Sequence, residues 1–84
     1  MNIEEKRLRR YVIATLDTPT LYLHRTPTIH NDYGFTDDID YAMKLTKRSD
    51  ANCLRNYYIQ HESHYIDLVI VPIDIVYELI NESE

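Results

Sequence analysis

The residues able to do chemistry are few and scattered. His61-Glu62-Ser63-His64 places two imidazoles three positions apart, which could share one face of a helix. A closed zinc site needs four ligands, and His24 and His30 could join only through the tertiary fold; the spacing is also one residue short of HExxH. Cys53 is the single cysteine, so no intrachain disulfide can form. A thiol nucleophile wants a histidine base beside it, and nothing in the local sequence places one, so Cys53 reads as a small helical residue that packs. One glycine in the chain argues against Gly-rich phosphate loops, and neither Ser49, Ser63 nor Cys53 has the glycine flank of many hydrolase nucleophiles. No catalytic, cofactor-binding or metal-ligating residue is expected, and the chain does not read as an enzyme.

The chemistry that remains is recognition. Eight tyrosines stand at 11, 22, 33, 41, 57, 58, 65 and 77. Tyrosine combines a large contact area with a polar tip and is enriched at protein interfaces, although in a thin core several must simply cap it with their rings. Tyr22 and His24 alternate with Leu21 and Leu23, so they fall on the outer face of a predicted strand. Tyr33, Asp37, Asp38, Asp40 and Tyr41 would form an acidic, aromatic edge nearby, able to occupy a DNA-binding cleft by imitating spaced phosphates. These seven residues are the candidate partner-binding set.

The elements that must position them follow from periodicity. The densest apolar stretch is Tyr65 to Leu79, YIDLVIVPIDIVYEL, and it is expected to form the core. Leu68-Val69-Ile70-Val71 suits a strand covered on both faces. Beyond it Val69, Val71, Ile73, Ile75, Tyr77 and Leu79 alternate with Asp74 and Glu78, which favours a strand to about Leu79, though Ile73, Val76, Tyr77 and Ile80 also fit a helical stripe. Upstream, residues 10–25 read as a hairpin: Tyr11 to Thr15 as one strand, Asp17-Thr18-Pro19 as the turn, and Thr20 to Arg25 as the second. Gly34 is expected in a backbone conformation closed to other residues. Thr36 is a suitable N-cap for a first helix, with Asp37, Asp38 and Asp40 in its first turn and Lys44, Lys47 and Arg48 at its end. Ser49 or Asp50 can cap a second helix to about Ile59, with a buried stripe of Ala51, Leu54 and Tyr58. The expected fold is α+β, ordered ββααβ, with a three-stranded, mainly antiparallel sheet and two helices on one face. It forms one domain over 1–84, with 1–9 and 81–84 frayed; the outer end of the first strand is the other reading of the N-terminal segment.

Composition limits the function classes. The formal net charge is −5, and residues 49–84 carry only Arg55 against seven acids. That balance disfavours a general nucleic-acid binder, whose affinity comes from neutralising phosphates, and suits a basic protein partner. The basic cluster Lys6, Arg7, Arg9 and Arg10 lacks an interleaved aromatic platform. No signal peptide or membrane-length apolar segment is visible, so a cytoplasmic protein is expected. An 84-residue chain buries a thin core, which leaves homodimerisation open.

Across YVIAT…TLYLHR, YGFTDDIDYAMKLTKRSDANCL and DLVIVPIDIVYEL, the chain resembles small uncharacterised proteins of phages and prophages of Gram-positive bacteria. The middle segment carries the pattern: the aromatic Phe35, a Thr-Asp cap, Ala42, and a second helix start about three or four residues past the basic pair Lys47-Arg48. The group includes anti-CRISPR inhibitors. The resemblance implies a phage-encoded, non-enzymatic inhibitor of a host defence nuclease, Cas9 among the candidates, acting in the host cytoplasm. The alternative is a nucleic-acid-associated accessory protein using the basic N-terminal segment.

Overall fold

The computed structural model describes residues 2–16, 18–25, 33–61 and 67–80. Four strands, β1 (Asn2–Thr15), β2 (Tyr22–Arg25), β3 (Tyr33–Thr36) and β4 (Leu68–Ile80), form an antiparallel sheet in the order β3-β2-β1-β4. A one-turn 3-10 helix (Ile39–Tyr41) and an α-helix, α1 (Arg48–His61), complete the described elements. The class is α+β as expected, but the sheet has four strands rather than three and one α-helix rather than two. The ββααβ order is therefore wrong.

The first expected helix fails for a local reason. Asp, Ile and Tyr are poor helix formers, and Asp side chains compete for backbone donors. Here the Asp38 carboxylate accepts from the Asp40 N–H at 2.9 Å, and the Thr36 hydroxyl accepts from the Asp38 N–H at 3.1 Å. The Asp38 closure caps the single 3-10 turn of Ile39–Tyr41, and no α-helix continues from Thr36. After it the chain is extended. Met43 N–H donates to the Leu23 carbonyl, and Leu45 exchanges both backbone bonds with Tyr11. Residues 43–45 thus lie between β1 and β2, taking hydrogen bonds that a helix would have kept internal. Gly34 also differs from expectation: it has no positive φ and pairs as ordinary strand with His24.

The hairpin, α1 and the terminal strand follow their periodicity. Ala51 and Tyr58 are buried and Leu54 half-buried, so the predicted stripe is the packed face of α1. That face meets Ile13, Leu23 and Leu68, with Tyr11, Phe35, Leu45 and Ile70 around them. Phe35 stands edge-on to Tyr58 with ring centroids 5.7 Å apart. Val12 and Ala14 alternate with Ile13 and are equally buried, so β1 is covered on both faces in the body. Cys53, expected to pack, is exposed.

The core occupies only one end of the long ribbon. β1 and β4 stay paired from Thr15↔Leu68 outward to Asn2↔Ile80, with one irregularity between Asn2 and Glu4. β2 pairs with β1 only at Ala14↔Tyr22, and the Leu45 bridge ends at Tyr11. Residues 2–10 and 73–80 therefore project as a two-stranded arm, and the molecule measures 57 × 25 × 25 Å. The stretch expected to be core is core only in its first half: Val76, Tyr77, Leu79 and Ile80 are exposed.

Candidate functional site

Tyr22 and His24 sit half-buried on β2, and register puts Tyr22 opposite Thr36 and His24 opposite Gly34. Paired residues share a face, so Tyr22 and His24 lie on the face opposite Leu23, away from the helix-covered core. Gly34 leaves the position opposite His24 without a side chain. Directly after Thr36 comes the acidic turn, where Asp37, Asp38, Asp40 and Tyr41 are all exposed, Tyr41 by 72%. The structure therefore gathers Tyr22, Asp37, Asp38, Asp40 and Tyr41 at one end of the β2–β3 pair. Tyr33 is not with them: it pairs with Arg25 at the other end of β3.

The turn holds its carboxylates outward. Asp38 is tied to the Asp40 N–H, and the Lys44 ammonium donates to the backbone carbonyls of Asp40 (2.9 Å) and Ala42 (3.1 Å). The nearest cation thus stiffens the loop without neutralising it, and among the described residues no ion pair engages Asp37, Asp38 or Asp40. No group of three or more His, Cys, Asp or Glu is arranged to hold a metal ion among the described residues. Glu62 to His64 of the two-histidine spacing lie outside them.

The basic cluster belongs to β1 of the arm. Alternation sends Arg7 and Arg9 to one face and Lys6 and Arg10 to the other. Arg9 binds Asp74 across the ladder at 2.5 and 3.3 Å, and Arg7 binds Glu5 at 3.2 Å. The hydrogen bond with Arg9 holds the Asp74 carboxyl below its ordinary range and raises Arg9 correspondingly. The four cations of residues 2–10 are cancelled by Glu4 and Glu5 together with Asp74 and Glu78, so the arm is electrically neutral.

Sequence reasoning missed the arm itself. One face carries Leu8, Ile73, Ile75, Tyr77 and Leu79, the other Arg7, Arg9, Asp74, Val76 and Glu78. The signal present was the alternation of IDIVYEL, which sets the face but not what covers it. No helix among the described residues is long and apolar enough to cross a membrane. No family model, curated protein or solved structure matches the chain. The fold and site define a small α+β domain with an acidic turn on one side and a projecting antiparallel arm.

Proposed function

We propose that the protein is a non-enzymatic inhibitor that docks its acidic turn on a basic surface of a host defence nuclease, in the host cytoplasm. The observation that carries this reading is the turn: three exposed aspartates and an exposed tyrosine on a backbone closed by Thr36 and Asp38, paired with no cation among the described residues. A turn whose backbone is already closed presents its carboxylates to a cationic nucleic-acid groove with less main-chain ordering on binding, which lowers the cost of association. The chain's acidic balance and its resemblance to phage and prophage proteins point to a nuclease of the Cas type as the target. The accessory nucleic-acid reading is weakened by the arm, whose cations are matched by acids and split between two faces.

The test is capture of Cas9 by the tagged chain, with and without guide RNA, followed by titration of inhibition. Asp38 also closes the turn, so the informative variant is Asp37→Lys with Asp40→Lys, leaving Asp38 in place. Inhibition should weaken at least about tenfold in the variant and fall with added salt in the parent. Unchanged inhibition by the variant, or retention of nucleic acid in place of any nuclease, would sink this reading.

A further inference from the structure

Among the described residues, the backbone of the arm leaves a row of donors and acceptors unpaired along the outer side of β4. The Tyr11 N–H and C=O point to Leu45, and the Thr15 N–H points to Leu21, so odd residues of β1 face away from β4. Even residues of β1 then bond odd residues of β4, and the even residues of β4 turn their backbone groups to the free edge. Pro72 is one of them. Its missing N–H costs no bond to β1 and puts a gap in the free edge beside the body. The edge of β1 is guarded differently, by charged side chains, and the Arg10 guanidinium covers the Arg9 carbonyl at 2.8 Å. Beyond Pro72 the β4 edge carries two charges, Asp74, already paired with Arg9, and Glu78, in a segment otherwise made of Ile73, Ile75, Val76, Tyr77, Leu79 and Ile80; among the described residues no side chain covers its outward backbone groups.

We infer that this edge is a self-association surface, where residues 74–80 pair antiparallel with the same segment of a second copy about a two-fold axis at Tyr77. The sequence singles out this register. A two-fold axis at Val76 would set Asp74 against Glu78 twice, and one at Glu78 would oppose Glu78 to itself; like charges directly opposite destabilise a ladder. An axis at Ile75 would bring Pro72 opposite Glu78 and lose a bond. With the axis at Tyr77, Asp74 faces Ile80, Ile75 faces Leu79, Val76 faces Glu78, and the two Tyr77 rings meet in a close, non-hydrogen-bonded pair. In the dimer Glu78 lies opposite Val76 of the second copy, so no two carboxylates stand directly opposite each other across the join. The result is a continuous eight-stranded sheet with a shared apolar stripe of Ile75, Tyr77 and Leu79 from both chains.

This inference stands apart from the docking of the acidic turn, which lies on the β1 side of the sheet while the join uses the β4 edge. Light scattering across a concentration series should show the mass of two chains at high concentration. Val76→Pro removes an outward N–H and spares the ladder to β1, so it should keep the circular dichroism of the parent and weaken dimerisation at least about tenfold. Amide exchange of the parent gives a readout that needs no variant: Val76 and Glu78 should be protected when concentrated and exposed when dilute, while Ile75 and Tyr77 stay protected in both. A parent that is monomeric at every concentration, a Val76→Pro chain that dimerises like the parent, or Val76 and Glu78 amides indifferent to concentration would overturn the proposal.

Discussion

Leu16 and Leu23 flank the same turn and have the same side chain, yet the fold treats them oppositely. Leu23 is 1% exposed and packs with Ile13, Ala51, Tyr58 and Leu68, whereas Leu16 is 65% exposed. Leu23→Ala removes buried methyl groups and leaves a void between β2 and α1, a change that costs about 3 kcal/mol in well-packed cores. Scaled from about 0.05–0.15 kcal/mol per residue, a domain of this length has roughly 4–13 kcal/mol of stability in all. The loss is therefore a large share of the total. With a urea slope of about 1 kcal/mol/M for so small a domain, the unfolding midpoint should fall by about 3 M, and a variant of a parent at the low end would keep about 1 kcal/mol, with a visible minority unfolded without denaturant. Leu16→Ala deletes the same atoms from a side chain already in water and should move stability by less than about 0.5 kcal/mol. Urea melts followed by circular dichroism, run at one dilute concentration so that association does not contribute, measure both. Equal midpoints for the two variants would show that β2 is not held by the cluster around Leu23, and the placement of the core would be wrong.

Two further outcomes follow from named contacts. A double-mutant cycle of Phe35→Leu and Tyr58→Leu should give a coupling of about 0.5–1.5 kcal/mol for the edge-on ring pair, and additivity of the two changes would deny the contact. Asp74 titrates below its ordinary carboxylate value because Arg9 hydrogen-bonds its charged form. Its contribution is thus present above the unfolded-state value and is lost as pH falls through the lower folded one. A carbon-detected NMR titration should place Asp74 below the ordinary carboxylate value, and Arg9→Ala should return it toward that value; no change on removing Arg9 would refute the cause.

The parts of the fold that were legible in sequence are those where burial is one-sided. The α1 stripe of Ala51, Leu54 and Tyr58 shows a period because one face packs and the other does not; the alternation from Val69 to Leu79 marks the strand but runs past the packed half, leaving Tyr77 and Leu79 exposed. The outer half of β1 gives no such signal. Glu4, Glu5, Lys6, Arg7, Arg9 and Arg10 occupy both of its faces, and only Leu8 interrupts them; it is strand because β4 pairs with it, not because it buries a face. The acidic segment misled in the opposite direction. Aspartates after a threonine fit a helix start by charge alone, and only the competing closures at Asp38 and Thr36 decide for a turn. The candidate residues in that segment were placed on one exposed loop nonetheless, since a turn displays carboxylates as readily as a helix N-terminus does.

Pro72 marks the boundary between the two halves of β4 in more than geometry. Before it, Leu68 is buried and Val69, Ile70 and Val71 are half-buried; after it, exposure rises until Val76 to Ile80 are all open. A proline at an odd position of β4 would have broken the ladder to β1, and a proline further out would have spoiled the open edge. At position 72 it does neither, and it blunts the one part of the edge that lies against the folded body. A lone two-stranded ribbon is marginal in water unless a third strand or a packed face supports it. Among the described residues the arm has neither; its β4 stripe is apolar, Lys6 and Arg10 share that face from β1, and its charges cancel. The arm balances its acids with cations, while Asp37, Asp38 and Asp40 on the turn have no ion-pair partner among the described residues. The chain thus sets a charge-balanced ribbon edge at β4 apart from an acidic turn that follows β3 at the other side of the sheet.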